Sequence, residues 1–247
     1  MSILSKGRYA ARLADTGADL RAAQALRHLA FVGGAEDGTL DRDAFDGLCC
    51  HFLIDELATG RLVACFRIMP LTDGGEIGRT YSAQFYELSA LTEFASPMVE
   101  IGRFCLHPAY RDPDILRVAW GAMTRYVDEH GVEMLFGCSS FRGTDAESYL
   151  DAFAMLKERH LAPRRWWPRV KAPSVFRFAQ ALRRRTPDAR QAMLRMPPLL
   201  RTYLLMGGWV SDHAVVDRQM NTLHVFTGLE ISAIPPARKR LLRASVH

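Results

Sequence analysis

The run VEIGRFCL, residues 99–106, reads as a buried strand, yet it carries Glu100 and Arg103. A charge taken out of water is costly unless it is paired or neutralised. Two readings follow. Either Glu100 forms an internal ion pair with Arg103 or Arg27, or a polar substrate meets these groups. In a regular strand, residues three apart point to opposite faces. A bulge at Gly102 would add one residue and bring both side chains to one side. Elsewhere, SDHAVVD offers Asp212, His213 and Asp217. A histidine on an alternating strand is more often a hydrogen-bonded core residue than a catalyst. The five cysteines are Cys49, Cys50, Cys65, Cys105 and Cys138. Their odd number, one adjacent pair and no CxxC predict neither a disulfide framework nor a zinc site, but buried thiols in a reducing compartment. A nucleophilic Cys105 or Cys138 would need a paired base, which the spacing does not supply.

The charge is uneven. From Arg159 to Arg185 there are nine Lys/Arg and no Asp/Glu, in a chain of net charge +5. Trp166, Trp167, Phe176 and Phe178 are interleaved, a pattern that suits a helix lying on anionic lipid or a face that meets an acidic protein. A plain solvated face is the alternative. No nucleic-acid reader motif accompanies it, so no nucleic-acid partner is expected. No apolar run is long enough for a membrane span, and the N-terminus lacks the apolar core of a secretory signal.

The elements that must position these residues are legible from periodicity. A helix is expected over about 19–31, capped by Asp19 and ended by Gly33 and Gly34. An acidic loop follows, then a hairpin of CCHFLIDEL and RLVACFRIMP, a connection over 71–94 with a short helix near YSAQFYEL, and the strand MVEIGRFCL. Asp112 as cap, Pro113 at the first position and Asp114 in the first turn announce the next helix. VEMLFGCSSF, a short helix ESYLDAFAMLKERH and late strands WVSDHAVVD and TLHVFTGLEI complete the chain. Strand–helix–strand over 98–140 predicts a parallel pair, hence a mixed α/β sheet. The expectation is one domain spanning 1–247, with a basic, aromatic, helical insertion at about 159–200.

The pattern resembles the GNAT-type acyltransferase fold, and within it the autoinducer synthases: a three-layer architecture with a mixed central sheet flanked by helices. The residues that carry the likeness are Arg27 and Phe31 in RHLAF, Asp43 and Asp46 in DAFD, Arg67 in ACFRIMP, and Glu100, Arg103 and Phe104 in EIGRF. Over nearly the whole chain, stretches such as IGRFCLHP and MPPLLRTYLLMGGWVSDHAVVDRQMNTLHVFTGLEI look like the L-ornithine N-acyltransferases of ornithine-lipid synthesis. That resemblance implies transfer of a 3-hydroxyacyl chain from acyl carrier protein to the α-amino group of ornithine, giving lyso-ornithine lipid. It implies no bound cofactor and no metal, the donor being 3-hydroxyacyl-phosphopantetheine on the carrier. A cytoplasmic enzyme, peripheral on the inner membrane, is expected. Acylation of glutamine or another amino acid, or a non-catalytic membrane-associated protein of the same fold, are the alternatives.

On this reading Glu100 and Arg103 are catalytic, with Glu100 orienting or deprotonating the amine, and a bulged backbone amide donates to the thioester carbonyl. Asp43 and Asp46 would favour a cationic amino acid. Arg27 and Arg67 would hold a phosphate or carboxylate; snorkelling surface groups are the alternative reading. Phe31, Phe104 and Ser139 complete the expected substrate contacts, and Asp212 or Asp217 would meet the δ-ammonium. The loop LHPAYRDPDIL has no glycine and carries Asp112 and Asp114 where GNAT enzymes cradle a pyrophosphate. That favours a carrier-bound phosphopantetheine over coenzyme A.

Overall fold

The computed structural model describes residues 2–34 and 38–244; Ala35, Glu36 and Asp37 of the acidic loop lie outside the described residues. In chain order the strands are β1 (Ser2–Lys6), β2 (Tyr9–Leu13), β3 (Cys50–Glu56), β4 (Leu62–Leu71), β5 (Tyr86–Glu87), β6 (Met98–Leu106), β7 (Met134–Arg142), β8 (Arg169–Val170), β9 (Val175–Phe176), β10 (Trp209–Val210), β11 (Ala214–Asp217) and β12 (Thr222–Glu230). The helices are α1 (Gly17–Phe31), α2 (Pro113–Glu129), α3 (Leu150–Arg159), α4 (Phe178–Ala181), α5 (Ala189–Arg195), α6 (Pro198–Leu205) and α7 (Pro236–Ala244). The chain divides into two compact units.

The first unit comprises Met1–Pro70, Ile101–Gly131 and Pro236–His247. Its strands run in the order β1-β2-β3-β4-β6. The β1–β2 hairpin and α7 were not expected from periodicity, since neither has a long apolar stripe. Helix α1 begins earlier than expected because Thr16, not Asp19, is its N-cap. The Thr16 hydroxyl accepts from the Asp19 amide, and the Asp19 carboxylate returns a bond to the Thr16 backbone, a reciprocal capping box. Strand alternation then assigns the two helices to opposite faces. Leu53, Cys65 and Cys105 pack under Ala23 and Leu26 of α1. Phe52 turns the other way, stacking on Phe66 at 4.7 Å and meeting Tyr126 of α2 edge-on at 5.9 Å. Asp112 and Pro113 start α2 as expected.

The second unit comprises Leu71–Glu100 and Val132–Pro235. It holds the order β7-β12-β11-β9, with β10 on β12 and a small β5–β8 pair. The Glu133 amide donates to the Pro97 carbonyl at 2.8 Å, so β6 and β7 start side by side, as the predicted parallel pair requires. Antiparallel β7 and β12 match Ser139 with Val225 and Cys138 with Phe226. Phe141, Leu223 and Val225 form one core with Phe153 of α3, Phe178 and Leu200.

The basic segment corrects an expectation. Between Arg159 and Phe178 there is no amphipathic helix, only a three-residue 3-10 turn and the short strands β8 and β9. Three of its aromatics face inward. Phe178 is fully buried, Phe176 packs against the same core, and Trp166 meets Phe94 edge-on at 5.4 Å. The two prolines and the Pro173 turn leave no room for a continuous helical stripe.

Candidate active site

Two polar centres are built into otherwise apolar surroundings, one in each unit. In the first, the same sheet face that packs Leu53, Cys65 and Cys105 under α1 continues two residues further along each strand. There, period-two alternation necessarily presents His51, Arg67 and Arg103. On α1 the buried stripe of Ala23 and Leu26 likewise includes Gln24 and Arg27. The loop before β3 supplies Asp41, Asp43 and Asp46.

These groups close into an ion network of three arginines and three aspartates. Arg67 grips Asp43 with both terminal nitrogens, at 2.6 and 2.7 Å, and also reaches Asp46 at 2.6 Å. Arg27 holds Asp46 at 2.6 and 3.0 Å, donates to Asp41 at 2.8 Å and also bonds the Asp41 carbonyl. Arg103 reaches Asp43 at 2.9 Å and lies 3.4 Å from Asp41. Gln24 donates to Asp46 at 2.8 Å, and the His51 Nε2 meets the Asp46 carbonyl at 2.9 Å. Arg27 is 1% and Arg67 4% exposed. Neither is a snorkelling surface group. Nearly all of the Arg27 fork is committed to aspartates, so it does not stand ready to grip a substrate anion.

Electrostatics follows the geometry. Burial pushes the Asp46 carboxyl up, but hydrogen bonds from Arg27 and Gln24 and the neighbouring guanidinium charges outweigh it, leaving it below its ordinary value. Asp43 is lowered in the same way, burial being outweighed by Arg67 and then Arg103. Burial is also the largest influence on Arg67 and lowers its pKa, yet Asp43 reverses it and holds the guanidinium above its usual value. His51 goes the other way: burial lowers it, favouring a neutral imidazole whose Nε2–H donates to the carbonyl.

The strand distortion is real but displaced. Arg103 itself sits in the left-handed region, φ 53°, whereas Gly102 does not. A non-glycine residue there costs on the order of 1–2 kcal/mol, and the pull of Asp43 and Asp41 on its guanidinium offsets that cost. Phe104, the next residue, falls on the other face, stacking on Phe66 at 5.3 Å. Phe31 is about a third exposed at the end of α1.

In the second unit Glu100 is buried, and its carboxylate is met by consecutive backbone amides. The Tyr81 amide donates at 2.8 Å to one oxygen and the Ser82 amide at 2.7 Å to the other. These amides open a short 3-10 turn, Ser82–Gln84. The Ser82 hydroxyl lies 3.4 Å from the Cys138 thiol. Ser139, one residue on, faces the opposite side, where it accepts from Thr227 at 2.8 Å. The β7 residue beside the Glu100 turn is therefore Cys138, and Ser139 belongs to the α3 side. His213 is fully buried and bonded to Asp212 at 2.7 Å, and Asp217 caps the turn at Met220. Among the described residues no three His, Cys, Asp or Glu side chains converge as a metal site requires.

Sequence reasoning singled out Arg27, Asp43, Asp46, Arg67 and Arg103 as substrate or catalytic contacts; the structure brings them together as one another's ion partners. It missed Asp41, Gln24 and His51, although the spacing of acids in DRDAFD and of Gln24 to Arg27 on one helix face pointed to them. It also missed the Tyr81–Ser82 amides, which have no side-chain signature.

At the start of α2, the Asp112 carboxylate accepts from the Asp114 amide at 2.9 Å and is paired with Arg8. The helix N-terminus that would attract a phosphate already holds an anion of its own.

The family model described as an acetyltransferase (GNAT) domain matches residues 26–121, which contain the ion network and Glu100. The fold and this match define an acyltransferase of the GNAT class, with a mixed sheet flanked by helices. The chain is 36% identical to the L-ornithine N(alpha)-acyltransferase of Rhodobacter capsulatus, over 92% of this chain and 91% of that protein. It is 29% identical to the protein of the same name in Brucella abortus, over 92% and 86%. The chain belongs to the L-ornithine N(alpha)-acyltransferase family. Among solved structures, the N-acyl amino acid synthase FeeM aligns over 92% of this chain and 93% of its own at 11% identity, TM-score 0.49.

Proposed function

We propose that this chain transfers a 3-hydroxyacyl group from acyl carrier protein to the α-amino group of L-ornithine, forming lyso-ornithine lipid. The reading rests above all on the 36% identical relative named for ornithine acylation, matched along nearly its whole length. Glu100 takes a proton from the α-ammonium, directly or through water. The freed nitrogen attacks the thioester carbon, a backbone amide stabilises the oxyanion, and the C–S bond breaks. Glu100 passes its proton to the departing pantetheine thiolate, and the extra proton that the attacking nitrogen still carries is released to water as the amide forms. Fixing Glu100 by two amides supports this role, because a base must be held still to act. The ion network acts differently: it pins the Asp41–Asp46 loop and the left-handed Arg103 that shape β6.

The donor is carrier-bound phosphopantetheine. The filled N-terminus of α2 disfavours a second, pyrophosphate anion there, and the basic segment suits an acidic carrier protein. The reaction belongs on the cytoplasmic side, with peripheral contact at the inner membrane, where an amphiphilic product is delivered. Among the described residues no helix is long and apolar enough to cross a membrane.

Incubating the protein with 3-hydroxyacyl-carrier protein and a panel of amino acids, followed by mass spectrometry, tests the whole reading. Lyso-ornithine lipid is the expected product. A glutamine conjugate in its place would reassign the acceptor, and no conjugate with any amino acid would remove the reaction.

A further inference from the structure

We propose that the arginine run 183–185 and helix α5 form a docking surface for an anionic lipid bilayer. This deepens the membrane-contact part of the proposed function and rests on that part alone, not on the identity of donor or acceptor. From Arg159 to Arg201 the sole acid is Asp188. It is spent as the N-cap of α5, accepting from the Arg190 and Gln191 amides at 2.9 and 3.0 Å. Helix α5 is pinned by one side only, through Ala192 and Met196 in the core of the second unit.

The remaining side chains turn outward, and helical spacing groups Arg190 with Met193 and Leu194. Leu194 is 71% and Met193 40% exposed. Arg183, Arg184, Arg190 and Arg195 are exposed, and among the described residues none of them enters a salt bridge. Arg185 by contrast is tied to Asp151 at 3.0 Å. Unpaired arginines beside protruding apolar side chains match a bilayer surface in both respects: the guanidinium groups meet lipid phosphates and the apolar tips enter below them. An acidic protein would satisfy the charge but leave Leu194 without a purpose. The contact therefore lies some way along the chain from Trp166 of the basic segment, whose ring packs on Phe94.

The test is sedimentation of the full chain with phosphatidylcholine vesicles, with and without phosphatidylglycerol, at low and high salt. Binding is expected only to the anionic vesicles and should weaken as salt rises. Removing one basic contact should weaken binding about fivefold, so Arg183→Glu with Arg184→Glu should weaken it by more than tenfold. Met193→Ser with Leu194→Ser should weaken it several-fold and abolish what survives high salt. Circular dichroism checks that these surface variants stay folded. No binding by the parent chain, or parent-like binding by either variant, overturns the proposal. So does a charge variant that keeps vesicle binding but raises the KM for acyl carrier protein, which would assign the surface to the protein partner. Turnover on soluble substrates is read in parallel: a chain that binds vesicles yet fails to acylate ornithine overturns the reaction and supports the surface.

Discussion

The two polar centres satisfy buried charge in contrasting ways. Around Arg67, each guanidinium is matched by carboxylates, three of each sign, and the result is an electroneutral knot tying a loop to a helix and two strands. Around Glu100, the carboxylate accepts one backbone amide on each oxygen, from Tyr81 and Ser82. Paired charges of the first kind are consumed by one another, which suits architecture. A carboxylate that accepts consecutive backbone amides is instead fixed in orientation by the turn that supplies them. The same residue type, a buried carboxylate, thus meets unlike partners in the two units.

The contrast can be broken most decisively at Glu100. Glu100→Gln should cut turnover by at least about a hundredfold, while costing about 1–3 kcal/mol because its amide nitrogen confronts a backbone donor. Single-turnover assays well below the melting temperature separate the two effects. Unchanged turnover would reduce Glu100 to a cap of the Ser82 turn.

At the knot the order of effects should invert, stability before rate. Arg67→Met leaves Asp43 and part of Asp46 buried without their fork, and a loss of about 3–5 kcal/mol in denaturant unfolding is expected. Arg67→Lys should recover only part of this, since an ammonium cannot reproduce the bidentate grip. A variant as stable as the parent would mean that the network is ornamental.

Acidity sharpens the same point. Asp43 and Asp46 are held below their ordinary values in the folded chain. Their contribution is complete above the unfolded carboxylate value of about 4. It fades as pH falls through that value toward the lower folded one. Unfolding midpoints measured from neutral pH downward should therefore drop below about pH 4, and less steeply in Asp46→Asn. An equal slope in both proteins would detach the network from acid stability.

The smallest effect concerns Ser139. Its partner is Thr227, so Ser139→Ala should cost about 1 kcal/mol and leave KM for both substrates within about twofold. A clear rise in KM would return Ser139 to the substrate side.

Much of this was legible in one dimension. Alternation in β3, β4 and β6, the Asp112–Pro113 start of α2 and the charged residues of the RHLAF, DAFD and EIGRF stretches are local or near-local signals, written in residue type and spacing. What pairs with what was not. Arg103 also leans on Asp41 and Asp43, some sixty residues earlier, and Glu100 accepts from amides at 81 and 82, contacts that closeness in sequence does not announce. The tryptophan-rich segment read as a surface helix until its rings found a core supplied by distant elements. Periodicity reports which face of an element is apolar, because that depends only on the local repeat. The counter-ion of a buried charge, and the burial of an aromatic in an irregular segment, depend on chain closure over long separations, and those are free-energy choices among many partners that no window of sequence contains.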